Sequence, residues 1–504
     1  MRKAILCFVA ICYGLYGQNQ TSYVTFPLPE DSLPFRVSIE LAPFSLPSGL
    51  QAFVSGVIKD EWVLLSGRIF GLHGFTEAIF PTFPPASQNS TVFVLNLKTG
   101  KTVSRSLTDP SSKLTQEQID QLSVTNALFF QGDGSDTLYM VGGYGINTAT
   151  GQHETKSVLT AIDLPSLIKW VKQDPKAKSA AKCLRQVSDP LLQVTGGVMW
   201  QINPHQPALL GLGQNFNGTY RDTTANGDYT YQIRPFQVID TGKNLLVYPY
   251  PQPIPNPLYR RRDLNIVPAM RKSGSSLQQY LVAYGGVFTP GDNFGAWTIP
   301  IEIEADGSSR SFNPLKPNTF APFAQGMNNY ECPNLGLYSE KTGDMYTLFF
   351  GGISFLYTIN GGLYSPGGSL CEDSDLGFTN DVTAIRIDAS GNYQQYLMSA
   401  TFPSIATTFG HCPPPMFPIT CMNVVLNKSP VLLYGASGFF LGLPGLPYYP
   451  NSVLALDQLG SSPILLGYIV GGIESSAAET CSQIGNADTH PSTRIFSVKL
   501  IPKK

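Results

Sequence analysis

The residues able to do chemistry are few, and they gather in short stretches. Arg261-Arg262-Asp263-Leu264-Asn265 sets guanidinium groups beside a carboxylate and an amide. Asn328-Asn329-Tyr330-Glu331-Cys332 sets amides beside an aromatic ring, a carboxylate and a thiol. Arg68 and His73 form a third, sparser group. Arginine forks grip polar oxygens, and an aromatic face covers the apolar face of a sugar. Asp263 and Glu331 are the groups that could serve as acid or base. The candidate ligand-binding set is therefore Arg68, His73, Arg261, Arg262, Asp263, Asn265, Tyr330 and Glu331; none is assigned as catalytic. A plainer reading, and the preferred one for Arg262 and Asp263, is that they pair with each other or cap loops.

Other chemistries find little support. The five histidines, His73, His153, His205, His411 and His490, occur singly, without local ligand spacing. No CxxC, GxSxG, HExxH or phosphate-loop motif occurs, so neither metal nor cofactor is expected. Gly132-Asp133-Gly134-Ser135-Asp136 mimics a calcium loop but lacks its closing glutamate, and reads better as a hairpin turn.

The elements that must position these residues repeat along the chain. An apolar run ending in glycine appears at Trp62–Gly67, Leu138–Gly143, Ala208–Gly213, Leu281–Gly286, Leu348–Gly352 and Tyr468–Gly472. Gly67, Gly143, Gly213, Gly286 and Gly352 are spaced by 76, 70, 73 and 66 residues. Each unit adds an alternating run, such as Val92–Leu97, Val158–Asp163 or Val382–Ile387. Turns such as Lys98-Thr99-Gly100 and Ala389-Ser390-Gly391 lead on to another β-rich stretch. A unit of about four short strands cannot bury both its faces alone, whereas units ringed about an axis can. The expected fold is an all-β propeller of six blades. Seven blades remain open if Val431–Gly435 starts another unit. Against that, Val453–Asp457 and Ile464–Gly472 read as one continuous hairpin. Phe35–Leu41 is expected to pair with Arg494–Leu500 and so close the ring. Short helices are expected at Thr115–Leu122 and at Leu164–Lys172, the latter with Asp163 as cap and Pro165 in its first turn.

Bulk properties fit. Charged residues make up 13% of the 504, the net charge is −2, and there are 48 Gly and 40 Pro. This gives no electrostatic case for nucleic acid or an anionic membrane. Arg2 and Lys3, the apolar run Ala4–Tyr13, and small Gly14 and Gly17 read as an export signal cut near Gly17–Gln18. An uncleaved anchor is the alternative. The expected organisation is a signal at 1–17, a linker at 18–34 and one propeller domain at 35–504 with an insertion around 400–450. No later run could span a membrane as a helix. The remaining six cysteines permit disulfides, with Cys412 and Cys421, flanking a proline-rich stretch, as the candidate local pair.

Several words in the chain carry a resemblance. Trp62–His73, Tyr139–Gly145, Gly213–Tyr220, Arg261-Arg262-Asp263 and Gly467–Ile473 together resemble secreted kelch-like proteins of Bacteroidetes, a group without an assigned activity. The likeness spans almost the whole chain, except for the Cys- and Pro-rich region around 400–450. It implies a kelch-like propeller. Kelch propellers include copper-radical oxidases, but the scattered histidines do not supply that centre.

The expected function is a non-catalytic, exported propeller, periplasmic, cell-surface or extracellular. It would bind a protein or glycan partner through its loops, as a monomer. Phe439–Pro444 and Pro447–Pro450 are candidate contact loops. The alternative is a carbohydrate-active lyase, epimerase or hydrolase with a polar site at the propeller axis.

Overall fold

The period-two apolar runs form strands throughout, and the protein is all-β. The computed structural model describes residues 26–74, 82–219, 227–289, 295–311, 323–359, 362–364, 376–406, 431–476, 478 and 488–503. The proposed export signal and Cys371, Cys412, Cys421 and Cys481 lie outside them.

Six sheets with four antiparallel strands at their centre carry the fold among the described residues. The first runs Val54–Ile58, Glu61–Leu65, Thr91–Asn96, Thr102–Ser106. The second runs Leu128–Gln131, Thr137–Val141, Val158–Asp163, Leu184–Ser188, and the third Val198–Trp200, Ala208–Gly211, Ile233–Asp240, Leu245–Pro249. The fourth follows with Asn265–Ser273, Ser276–Tyr284, Ile301–Ile303, Ser309–Ser311. The fifth comprises Asn334–Tyr338, Met345–Ser354, Gly377–Ile387 and Tyr393–Thr401, flanked by short parallel strands at Leu28–Pro29 and Leu454–Ala455. The sixth takes Phe439–Gly442, Ile464–Val470 and Arg494–Pro502, and completes itself with Phe35–Ser45 from the other end of the sequence. Phe35 lies opposite Pro502 and Leu41 opposite Phe496.

Each sheet buries both faces against neighbours. Val54 and Val94 of the first sheet share a core with Leu138 and Met140 of the second. Leu159 of the second packs with Leu210 and Phe236 of the third, and Leu209 and Ile233 of the third with Ile266 and Leu281 of the fourth. Val282 of the fourth meets Phe349 and Ile385 of the fifth, while Leu348 and Ala384 meet Ile469 and Phe496 of the sixth. The last core joins Val470 and Ile495 of the sixth to Leu64 and Phe93 of the first. Each such side chain contributes roughly 1.5–3 kcal/mol by leaving water.

The glycine-ended strands have a specific backbone task. Two successive residues turn left-handed after the second strand: Gly142 and Gly143 at φ 60° and 85°, Gly285 and Gly286 at 60° and 94°, Gly471 and Gly472 at 65° and 92°. The second residue then donates its N–H to the segment leading into the next sheet. Gly67 donates to Val124 at 2.7 Å, Gly143 to Val194 at 2.9 Å and Gly213 to Arg261 at 2.9 Å. Gly286 donates to Asn329 at 2.6 Å, and Gly472 to Leu50, ahead of the first sheet, at 2.8 Å. A Cβ on Gly142 or Gly285 would overlap the same carbonyls. Ser66 and Leu212 hold the first position at φ 62° and 61°, where side chains are strained.

Both expected helices form. Gln116–Leu122 starts at a capping box from Thr115, and Leu164–Val171 starts where Asp163 accepts the Ser166 N–H. Three segments after residue 430 take places that the reading had left open or set otherwise. Leu433–Ala436 pairs with Ile473–Ser475 in a small separate sheet and opens no further unit. Leu454–Ala455 lies parallel to Leu337–Tyr338 of the fifth sheet, so it forms no hairpin with Ile464–Val470. Phe439–Gly442 is the first strand of the sixth sheet, with Leu441 buried, and not a contact loop.

Candidate functional site

The residue two places after each of those acceptor carbonyls takes part in a second set of bonds. Asn126 donates its N–H to Ala52 (3.3 Å), Gly196 to Asn126 (3.0 Å) and Asp263 to Gly196 (2.8 Å). Glu331 donates to Asp263 (3.2 Å), Ser437 to Glu331 (3.0 Å), and Ala52 back to Ser437 (2.9 Å). Six backbone bonds thus form a cycle, with one residue from the lead-in of every sheet. Ala52, Asn126, Asp263 and Ser437 sit there at φ 49°, 50°, 49° and 53°. Left-handed non-glycine residues cost of order 1 kcal/mol or more each and cluster at functional sites.

An open cavity lies against this cycle, with about 550 Å³ of empty space counting the part open to solvent. Asn126, Gly196, Asp263 and Ser437 of the cycle line it. So do Gln51, Thr125, Thr195 and Arg262, which precede first strands, and Arg68, Tyr144, Gln214 and Ile473, which follow second strands. Every sheet contributes, because Tyr330 precedes the first strand of the fifth. His73, Phe83 and Phe216 add an aromatic side: the ring of Phe83 is 4.6 Å from His73 and 4.9 Å from Tyr144, and Phe216 lies 5.3 Å from Tyr144.

The cavity collects Arg68, His73, Arg262, Asp263 and Tyr330 of the residues singled out in the sequence. The Arg68 guanidinium lies over Phe83 at 4.6 Å. His73 has Nδ1 2.9 Å from the Gly74 carbonyl. Burial, then the positive charges of Arg68 and Arg262, push its pKa down to about 3, so the imidazole stays neutral. Arg262 and Asp263 do pair, at 3.6 Å between Nε and Oδ2, which is longer than a hydrogen bond. Burial raises the pKa of Asp263, and Arg262, the Tyr330 hydroxyl and the Asn126 amide oppose that rise.

Glu331 does not line the cavity; it is half-buried beside Asp263, whose carbonyl accepts its N–H. Burial and the charge of Asp263 push its carboxyl up to about 8. The two neighbouring carboxyl groups titrate as a coupled pair, both held above the ordinary carboxylate range.

Arg261 and Asn265 stand behind the cavity. Arg261 is fully buried, stacks on Trp297 at 4.7 Å and donates to the carbonyls of Leu258 and Gly285. Asn265 donates to the Tyr330 carbonyl and accepts the Cys332 N–H, tying the fourth sheet to the fifth. Neither lines the cavity, and both hold neighbouring backbone in place. The Cys412–Cys421 pairing lies outside the described residues. Cys183 and Cys332 are buried free thiols. No cluster of three metal-ligating side chains occurs among the described residues, and no described helix is long and apolar enough to cross a membrane.

Sequence reading missed Gln51, Thr125, Asn126, Thr195, Gln214 and Ser437. A signal was present: each of Gln51, Thr125 and Thr195 lies 16 to 18 residues before the end of a glycine-ended strand, at nearly the same place in its unit.

No family model matches the chain, and no curated protein matches it. Solved structures give weak likenesses. The structure of YjhT aligns over 90% of this chain and 100% of its own, with 10% identity and a TM-score of 0.43. A chain from a RAG complex with one melted and one unmelted RSS covers 93% of this chain and 100% of its own, at 12% identity and TM-score 0.41. The polysaccharide lyase Uly1 covers 90% of each chain, at 8% identity and TM-score 0.31. Likeness at these levels assigns no activity.

Proposed function

We propose that the six sheets are blades of a kelch-like β-propeller, closed by the pairing of Phe35–Ser45 with Arg494–Pro502, and that the cavity on its axis takes a glycan and acts on it by carboxyl acid–base chemistry. The cycle of six backbone bonds and the six inter-sheet cores support the architecture. The observation that supports the chemistry is that Asp263 lines the cavity with Glu331 next to it in the backbone cycle, burial raising both carboxyls. Burial raises the Asp263 carboxyl against the pull of Arg262, Tyr330 and Asn126, and in this reading it exchanges a proton with the ligand. Glu331 keeps a proton to give. Elimination or hydrolysis at a glycosidic linkage, and epimerisation at a sugar carbon, can each use a carboxyl acid and base. Amide, hydroxyl and guanidinium groups beside aromatic rings suit the polar and apolar faces of a sugar.

One observation favours the non-catalytic reading, in which the site binds a glycan or protein without turnover. Arg262, Asn126 and Tyr330 all engage Asp263, as they would in a structural tie. The setting we propose is outside the cytoplasm, from the leader-like residues 1–17. A glycan array followed by product analysis on the bound sugars separates the readings. Turnover lost in Glu331→Gln supports the enzyme; binding without turnover in the wild type supports the binder and sinks acid–base catalysis.

A further inference from the structure

We propose that the cavity takes a neutral, hydroxyl-bearing sugar, and that Gln51, with Ser437 beside it, reads one of its hydroxyl groups; this rests on reading the cavity as a glycan site. The charged groups of the wall face the protein itself. Arg262 pairs with Asp263 and lies over Phe288 at 5.3 Å. Asp263 also takes bonds from the Asn126 amide and the Tyr330 hydroxyl. Arg68 lies over Phe83, with Nε and Nη2 buried. Three neutral side chains of the same wall, those of Gln51, Gln214 and Ser437, keep hydrogen-bonding capacity that no described residue uses.

Gln51 is the most constrained of the three. Its amide donates to the Phe70 carbonyl at 2.9 Å and to the Gly71 carbonyl at 3.0 Å. Both amide hydrogens are thereby spent, and the orientation of the group is set. Oε1 is left in the cavity wall with no donor among the described residues, and it is not shut away from open space. An amide oxygen only accepts, so whatever meets it must donate. A sugar hydroxyl does so; an ionised carboxylate, sulfate or phosphate oxygen does not. Ser437 stands alongside, because Ala52 donates its N–H to the Ser437 carbonyl at 2.9 Å. The Ser437 hydroxyl bonds to no described residue although the side chain is buried. Gln214 has Oε1 buried beside Gly227 without a partner, so Nε2 is the end it offers the cavity. Buried polar groups are nearly always hydrogen-bonded, and exceptions gathered on one concave wall mark where a guest completes the set. A hydroxyl meets this arrangement in full, donating to Gln51 while accepting from Ser437 or Gln214. The rings of Phe83, Tyr144 and Phe216 in the same wall cover a sugar's apolar face.

The test uses di- and trisaccharides of glucose, galactose, mannose, xylose and arabinose, with those of glucuronate, galacturonate and mannuronate as charged counterparts. Titration calorimetry on the wild-type protein should show at least one neutral series binding about tenfold or more tighter than every uronate. Deoxyfluoro analogues of that sugar, in which one hydroxyl at a time loses its donor at nearly constant size, should reveal one position worth about tenfold or more. In Gln51→Met that position should no longer matter. Ser437→Ala breaks no bond within the protein, so it should melt like the wild type and bind the sugar several-fold more weakly. Uronates binding as tightly as neutral sugars, or a fluoro series with no sensitive position, would overturn the proposal while leaving the glycan site standing. Ser437→Ala binding like the wild type would remove Ser437 from it. Failure of every sugar, neutral or charged, would sink both the proposal and the glycan reading beneath it. The wild-type fluoro series decides the matter even where Gln51→Met fails to fold.

Discussion

The side-chain amide of Asn126 donates to Oδ1 of Asp263 at 3.2 Å, joining the lead-ins of the second and fourth sheets across Gly196. Its orientation is set, because Thr125 Oγ1 donates to Asn126 Oδ1 at 2.8 Å. Asn126→Asp keeps the shape and the tolerance for a left-handed backbone but sets a second acid against Asp263. Two carboxylates so placed cannot both ionise at low cost. The variant should lose about 1–3 kcal/mol of stability at pH 8 and regain most of it near pH 4. Urea unfolding at the two pH values checks this, and equal losses at both would show that Asp263 is not held through Asn126.

Glu331 should make stability fall with pH. Its carboxyl is raised to about 8 in the folded chain, against an ordinary value near 4.5. Below the lower value both states are protonated and nothing is lost. Between the two, the folded chain holds a proton that the unfolded chain has released, so stability declines as pH rises towards 8 and is then level. Glu331→Gln removes this slope. Relative to wild type it should gain on the order of 2 kcal/mol between pH 5 and 8.5, solvent screening of a half-buried group included. Parallel stability curves for the two proteins would refute the raised carboxyl.

The recurring strands were legible because they depend on local patterning. Trp62–Gly67 and Leu138–Gly143 show an apolar run followed by residues that accept positive φ, and both signals sit within six positions. The cycle Ala52, Asn126, Gly196, Asp263, Glu331, Ser437 was not legible. Its members share a backbone role and no common side chain, and each bonds to a residue of another sheet. Ser437 was hidden further by Tyr434-Gly435, which imitates the end of a second strand although it leads into a first one. Arg261 misled in the opposite direction. A triplet Arg-Arg-Asp looks like a polar site, but only Arg262 and Asp263 reach the cavity, while Arg261 turns onto Trp297.

The paired glycines should differ sharply from glycines in open turns. Gly142→Ala adds a methyl that meets the Val194 carbonyl at a residue with φ 60°. Gly274→Ala adds one at φ 61° in a hairpin turn with nothing within 4 Å. Both variants carry the backbone strain of about 1 kcal/mol, but only the first adds overlap with the next sheet. Gly142→Ala should cost about 3 kcal/mol or more and Gly274→Ala about 1. Thermal unfolding of the two side by side measures the gap, and similar midpoints would show that the close approach to Val194 carries no energy.

The pairing of the two chain ends should be worth a large share of the total stability. Val37 and Ile39 are buried opposite Leu500 and Val498, in the core that joins the fifth and sixth sheets. Without Phe35–Ser45 that core opens to water, and Arg494–Pro502 is left as an unpaired edge. A chain starting at Leu46 should therefore unfold several degrees below the chain starting at Gln18, taking about 1 °C per kcal/mol for a domain of this size. It should also lose protection from amide exchange first in Ile464–Val470 and Arg494–Pro502. A synthetic peptide of residues 35–45, added in excess, binds only the folded edge and should restore the midpoint in proportion to the logarithm of its concentration. An unshifted midpoint in the shortened chain, or a peptide without effect on a destabilised one, would mean that the sixth sheet does not depend on the strand from the far end.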